Sequence, residues 1–153
     1  DDAALDRLAP VMSVLRQHGN LPCMIHTNEP VGHHYPGKTP VTLEQIYALA
    51  KRFNDNRIIL AHWGGGILFY HVMKKQAQAV LKNIWYDTAA SPFLYSPQIY
   101  DIARSAGVID KILFGTDYPL LPPDRYYRDI DQSGLDDADK NRVLGRNAEK
   151  LFL

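Results

Sequence analysis

The sequence predicts an α/β fold built on a parallel sheet, and three observations indicate it. Four short apolar runs alternate along the chain with segments that carry helical periodicity or helix caps. The runs are apolar throughout, which is typical of parallel strands covered on both faces. The ends of successive runs lie roughly 30 residues apart, which suits a (β/α)8 barrel and also a doubly wound sheet. Spacing alone does not choose between these two folds.

Helices are predicted where apolar residues recur at three- and four-residue spacing, or where cap residues mark a start or an end. Thr42 and Gln45 are spaced for a capping box at the start of the second helix. Gly145 predicts a break within the last helix. In chain order the predicted helices are residues 1–20, 39–56, 67–82, 96–107 and 136–153.

Strands are predicted for the continuous runs of aliphatic and aromatic residues that are too short to be helices. Each run is followed by glycine, proline or polar residues, which end it. In chain order the predicted strands are residues 21–27, 57–62, 83–88 and 111–117. No linker or low-complexity segment interrupts the pattern, so we expect a single domain over residues 1–153.

Composition narrows the range of functions. Hydrophobic residues make up 46% of the 153 residues, which is enough for a packed core. Lysine plus arginine and aspartate plus glutamate both number 17, so we expect neither a nucleic-acid nor a membrane partner. Cys23 is the only cysteine, which suits a reducing cytoplasmic location. We find neither a signal peptide nor a membrane-spanning run in the sequence.

Three predicted strands end in side chains that are capable of chemistry. They are His26, His62 and Asp117. The carboxyl ends of parallel strands hold the active sites of barrels and open sheets alike, so we expect these residues to form one cluster. Two imidazoles and a carboxylate suit a zinc-like ion with an open position for water. The third strand ends at Asp87 or Thr88, and the pattern does not show which of them faces the cluster.

The segment "HWGGG", residues 62–66, admits several interpretations. A similar turn supplies oxyanion-hole amides in lipases, but those enzymes also need a Gly-x-Ser-x-Gly elbow, which the sequence lacks. A phosphate cradle would need a Walker lysine or a GxGxxG motif, and neither occurs. We favour a tight turn after the strand that lets the backbone pass close to the pocket, with an anion contact as the lesser alternative.

Five segments together carry a family resemblance: "PCMIHTNE", "RFNDNRIILAHWGGG", "WYDTAAS", "ILFGTDYPLL" and "LGRNAEKLF". In this order they resemble the C-terminal half of the amidohydrolase-related (amidohydrolase 2) family of metal-dependent TIM-barrel hydrolases and decarboxylases. The resemblance runs over nearly the whole chain. It implies an α/β fold with about four βα units, corresponding to strands 5–8 of a (β/α)8 TIM barrel.

The resemblance also implies roles for the residues at the strand ends. His26 would be a metal ligand, His62 the catalytic histidine beside the metal, and Asp117 both a ligand and a proton acceptor. The implied cofactor is a divalent metal, which we expect to be zinc. The implied reaction is attack of metal-activated water on the carbonyl of a small ester, lactone or amide. Non-oxidative decarboxylation of an aromatic or unsaturated acid is the alternative.

Further residues are expected to contact substrate or to lie near it. Three follow the first strand in the loop above the pocket, and two are aromatic residues of the second and third strand regions. A solvated loop and ordinary core packing are the competing interpretations of these positions. The five candidates are Glu29, His33, His34, Trp63 and Tyr86.

The chain also departs from the family pattern. The family's first barrel strand carries His-x-His or Glu-x-His, and residues 1–153 contain no such motif. We therefore expect a truncated product, or a half-barrel completed by a missing N-terminal half or by another copy in a homo-oligomer. An inactive half-barrel or structural subunit is the non-enzymatic alternative. A nucleotide-binding open sheet is a third alternative, although "TNEPVG" after the first strand offers no phosphate loop.

Overall fold

A computed structural model describes residues 2–31, 34–36 and 38–153 of the chain. The described residues form a parallel four-stranded sheet in the order β1-β2-β3-β4, which confirms the predicted α/β fold class. All four strands lie within the predicted runs and are shorter than those runs. They are β1 Cys23–Ile25, β2 Ile58–Leu60, β3 Ile84–Asp87 and β4 Ile112–Leu113.

The helices lie between the strands and after the last of them. Their bounds are α1 Asp2–Gln17, α2 Leu43–Arg52, α3 Lys75–Val80, α4 Ser91–Leu94, α5 Gln98–Ser105, α6 Pro123–Gln132, α7 Asp137–Asn141 and α8 Asn147–Phe152. The capping box of α2 is present, because Thr42 Oγ1 accepts from the Gln45 N–H and Gln45 Oε1 accepts from the Thr42 N–H. Among the described residues, no helix is both long and apolar enough to cross a membrane.

The two faces of the sheet are covered differently. On one face Ile58, Leu60 and their neighbours pack against helices in the main hydrophobic core. On the other face Ile59 and Leu113 pack against Leu151 of α8. Met24 is 60% exposed, although the flanking residues of β1 belong to the main core. The helix α8 therefore covers only part of this second face.

The segment after β2 corrects the predicted helix over 67–82. A 3-10 helical segment runs over His62–Val72, and α3 begins only at Lys75. Residues 62–66 all have positive φ, a conformation that a right-handed α-helix does not accommodate. The run of three glycines makes this left-handed stretch accessible.

The predicted break at Gly145 takes the form of a π-helical turn over Arg142–Arg146, which lies between α7 and α8. The fourth predicted helix, residues 96–107, is shorter than expected: α5 begins at Gln98, with Pro97 at its N-cap position. The helix α6 was not expected, although it begins with proline at its first position, a common start signal.

Candidate active site

The sheet brings three of the predicted residues to one pocket. His26 follows β1, His62 follows β2 and Asp117 follows β4, and all three line a cavity of about 660 Å³. Because the strands are parallel, their carboxyl ends share an edge of the sheet. Glu29 and Tyr35 line the same cavity. The cluster expected from the strand ends is therefore present.

The imidazole ring of His62 contacts both the neighbouring histidine and the protein backbone. Its side chain lies edge-on to that of His26, with the ring centroids 5.1 Å apart. His62 Nδ1 lies 2.9 Å from the carbonyl oxygen of Ala89. A carbonyl oxygen only accepts hydrogen bonds, so Nδ1 is the nitrogen that carries a proton. In the neutral ring Nε2 is then the basic nitrogen, and it is the one left for the pocket.

Backbone strain concentrates around the pocket. His62, Ala90 and Asp117 all have φ between 54° and 57°, a left-handed conformation that is uncommon for residues other than glycine. Such residues persist only where their surroundings fix them, and they are frequent at active sites. Tertiary contacts therefore stabilise the left-handed backbone at each of these three positions.

The glycines after His62 allow close packing of this loop. A Cβ at Gly64 would lie 2.8 Å from the ring of Tyr86, and one at Gly65 would lie 2.7 Å from the backbone oxygen of Asn28. Both distances are below any ordinary carbon contact. The loop thus presses on β3 below it and on the segment after β1 beside it, which agrees with the tight-turn interpretation of "HWGGG".

Asp87, at the end of β3, is a residue whose role the sequence left open. Its Oδ1 accepts from the His62 N–H at 2.8 Å and from the Ala89 N–H at 3.0 Å. Burial raises the pKa of Asp87, while these two hydrogen bonds act in the opposite direction. Neither Asp87 nor Thr88 lines the pocket. Thr88 Oγ1 is hydrogen-bonded to the backbone of Gly115, just after β4. The sequence feature that points to Asp87 is a carboxylate at the end of an otherwise apolar strand.

Glu29 has a defined partner at the pocket wall. Tyr95 Oη donates to Glu29 Oε1 at 2.5 Å. Burial and the neighbouring carboxylate raise the pKa of Tyr95, so the phenol stays protonated and remains the donor. This bond anchors one oxygen of Glu29, and no local sequence pattern indicates it.

Trp63 and Tyr86 lie in the core rather than in the pocket wall. Trp63 Nε1 donates to Ser91 Oγ at 3.0 Å, and its ring packs on Tyr100. Tyr86 is fully buried and its hydroxyl is 2.8 Å from Nε2 of His71. Trp63 has a left-handed backbone that differs from that of an extended strand. Tyr86 shares the core face of β3 with Ile84, as alternation along a strand requires. The structure therefore gives both residues packing roles.

Of the two histidines predicted in the loop after β1, the described residues include His34. His34 is exposed and lines a separate cavity that includes Asn28 and Gly65. His33 lies outside the described residues. The structure thus places Glu29, but not His34, in the same cavity as His26 and His62.

His26 and Asp117 are the two predicted metal ligands that line this cavity. Imidazole and carboxylate are ordinary ligands of zinc and of other divalent ions. Within residues 2–31, 34–36 and 38–153, no group of three or more His, Cys, Asp or Glu side chains is arranged to hold an ion. The donor chemistry therefore fits, while the described part of the chain supplies fewer ligands than a complete site requires.

Comparison with known proteins gives a family match over the whole chain. The sequence model of the amidohydrolase family matches residues 1–153. No curated protein matches the sequence significantly.

Solved structures share the fold. An uncharacterised TIM-barrel protein from Bordetella bronchiseptica superposes with a TM-score of 0.69 at 21% identity, covering 95% of this chain and 50% of its own. A dihydroxybenzoic acid decarboxylase from Polaromonas, with bound manganese and 2-nitroresorcinol, gives 0.69 at 18% identity, covering 94% and 52%. A probable 2-pyrone-4,6-dicarboxylic acid hydrolase from Acinetobacter baumannii gives 0.57 at 17% identity, covering 87% and 52%. The chain thus spans about half the length of these barrels.

Proposed function

Because this chain belongs to the amidohydrolase family, we propose that it provides one half of a barrel enzyme that hydrolyses the carbonyl group of a small organic substrate. The observation that carries the proposal is the meeting of His26, His62 and Asp117 in one cavity at the carboxyl ends of three parallel strands. This edge of a parallel barrel is where such enzymes carry out their chemistry. The solved barrels support the fold, and the activity is inferred from the side chains.

His62 is the residue we assign to proton transfer. Its Nδ1 is engaged with the Ala89 carbonyl, so its Nε2 can accept a proton from water or return one to a leaving group. Asp117 lines the same cavity and is a second proton acceptor. A basic nitrogen fixed in one tautomer is what general acid–base catalysis requires.

His26 and Asp117 would hold the metal ion. When bound, a divalent ion would supply Lewis-acid activation of water in the pocket. We propose that the remaining ligands come from the other half of the barrel, in the same chain or in another. Zinc is the ion we propose first, and the manganese in the Polaromonas decarboxylase makes manganese the second choice.

The charge of the pocket favours a neutral substrate. Its described lining contains the carboxylates of Glu29 and Asp117 and neither lysine nor arginine. An anionic substrate would need its charge balanced by a bound cation or by residues from the other half of the barrel. An ester, lactone or amide carries no such requirement, so hydrolysis is the reaction we propose.

One feature favours decarboxylation as a second candidate. Phe93, Leu94 and Leu120 form an apolar part of the wall in the cavity that contains His62. An apolar wall of this kind suits a flat aromatic or unsaturated ring. In that reaction His62 would protonate the carbon atom that loses carbon dioxide.

A substrate screen tests the proposal. The protein is assayed with Zn²⁺ and with Mn²⁺ against neutral esters and lactones and against aromatic carboxylic acids, beside a His62→Ala variant. Hydrolysis of neutral substrates that is lost in the variant supports the proposal. Carbon dioxide release from the acids without hydrolysis would establish the second candidate. Failure of both reactions in a stable, folded assembly would contradict both and leave a non-catalytic half-barrel.

A further inference from the structure

We propose that Asp87 is the positioning residue that fixes the orientation and tautomer of His62. Asp87 does not line the pocket, and it acts on His62 through the backbone. The inference deepens the proposed function, since it matters for catalysis only if His62 transfers the proton.

The hydrogen bonds of Asp87 connect the two ends of the contact that holds the imidazole. One carboxylate oxygen, Oδ1, accepts from the backbone N–H of His62 and from the backbone N–H of Ala89. Ala89 is also the residue whose carbonyl accepts from His62 Nδ1. The carboxylate, the His62 backbone, the His62 ring and the Ala89 backbone therefore form a closed ring of contacts.

Through this closed ring of contacts, Asp87 holds the segments of His62 and Ala89 in a fixed relative position. His62 and Ala89 are 27 positions apart and belong to different loops. A shift of either loop would move the carbonyl away from Nδ1, and the imidazole would lose the contact that selects its tautomer. Asp87 opposes such a shift because one oxygen atom binds both loops at 2.8 and 3.0 Å.

The surroundings of Asp87 hold it in place for this role. The residue is only 5% exposed, so water does not compete effectively for its oxygen. Next to it, Thr88 Oγ1 donates to the Gly115 carbonyl and accepts from the Gly115 N–H, which ties the end of β3 to the segment after β4. The left-handed backbone of His62 also needs external support, and the bond from its N–H to Asp87 supplies part of it.

The tautomer of His62 can be measured without substrate or metal. In protein labelled with ¹⁵N at histidine, NMR distinguishes the ring nitrogen that carries hydrogen from the bare one, and His62→Gln identifies the signal. Wild-type protein is expected to show hydrogen on Nδ1. Asp87→Ala is expected to give a mixture or hydrogen on Nε2, with at least tenfold faster exchange of the His62 and Ala89 amides. Asp87→Asn keeps an oxygen acceptor and is expected to retain the wild-type tautomer.

Asn147→Ala is the matched control. Asn147 is also 5% exposed and bonds two backbone groups, the carbonyls of Ile109 and Ile112, outside the pocket lining. Its loss is expected to destabilise the fold and to leave the His62 tautomer unchanged. Retention of the Nδ1 tautomer in Asp87→Ala would overturn the inference, as would an equal change in Asn147→Ala.

Two further outcomes distinguish the positioning role of Asp87 from effects on folding and from the proposed enzymatic activity. If Asp87→Ala does not fold, Asp87→Asn decides, because a changed tautomer in that folded variant contradicts the role of the oxygen as acceptor. A tautomer that depends on Asp87 in a protein without turnover would refute the proposed function and leave the positioning contact intact. Where turnover exists, Asp87→Ala is expected to lower kcat about 10- to 100-fold with little change in KM.

Discussion

Nδ1 of His62 donates a hydrogen bond to the backbone carbonyl of Ala89 across 2.9 Å. This contact joins the loop after β2 to the loop after β3 and selects one tautomer of the imidazole. It also distinguishes the surroundings of the two pocket histidines, because His62 is 8% exposed and bonded to the protein whereas His26 is exposed at the cavity. A held imidazole suits proton transfer, and an accessible one suits metal binding.

Replacement of His62 by alanine is expected to reduce kcat about 100- to 10,000-fold, because the group that transfers the proton is removed. The metal content should stay the same, since His26 and Asp117 remain. Steady-state kinetics and elemental analysis of the same preparation check both expectations. His18→Ala is the control, because His18 is an exposed histidine just after α1 and outside the pocket lining, and it should leave kcat unchanged. A His62→Ala protein that loses its metal would show that His62 is a ligand.

Alanine at Gly65 is expected to destabilise the protein more than alanine at Gly66. Both positions have positive φ, so each substitution costs about 1–2 kcal/mol in backbone conformation. At Gly65 the added Cβ would also meet the Asn28 carbonyl at 2.7 Å, whereas at Gly66 no atom lies within 4 Å. The clash should add about 1–3 kcal/mol to the loss at Gly65. Equal losses in urea denaturation of the two variants would show that the loop does not press on the segment after β1.

The buried His71 is expected to make stability depend on pH. Burial, with a smaller effect of Lys111, lowers the pKa of His71 from 6.5 to about 4. Between these values the unfolded chain binds a proton at His71 and the folded chain does not. The free energy of unfolding should therefore fall as pH decreases from 6.5 towards 4.

Denaturation at a series of pH values checks this expectation when the unfolding free energies of wild type and His71→Phe are compared. His71→Phe removes the titrating group, so the gap in unfolding free energy between wild type and variant should change across this window. Tyr86→Phe removes only the hydroxyl that is 2.8 Å from His71 and should keep the pH dependence. A gap between wild type and His71→Phe that is constant with pH would contradict the burial of a neutral His71.

The sequence was sufficient to predict the strands and the residues at their ends. Apolar runs identify buried parallel strands, and a histidine or aspartate that closes such a run is visible without a structure. The 3-10 segment over residues 62–72 was not predictable from periodicity. Hydrophobic spacing there suggests an α-helix, but residues 62–66 have positive φ, and a Cβ at Gly64 or Gly65 would clash with Tyr86 or Asn28.

The supporting residues of the site were harder to predict than the central ones. Asp87 bonds to His62, 25 positions away in the chain, and Tyr95 bonds to Glu29, 66 positions away. Neither distance in sequence leaves a local signal. Trp63 follows His62 in sequence, but its side chain lies in the core, and its left-handed backbone could not be read from the sequence.

Metal content of the assembled protein distinguishes the metal ligands from the proton-transfer residue. We predict about one divalent ion per site in the wild type and in His62→Ala. It predicts a large loss of that ion in His26→Ala and in Asp117→Ala, measured by elemental analysis after dialysis of folded protein. Equal metal content in all four proteins, or retention in the His26 and Asp117 variants with loss in His62→Ala, would contradict the assignment of ligands and of the proton-transfer residue.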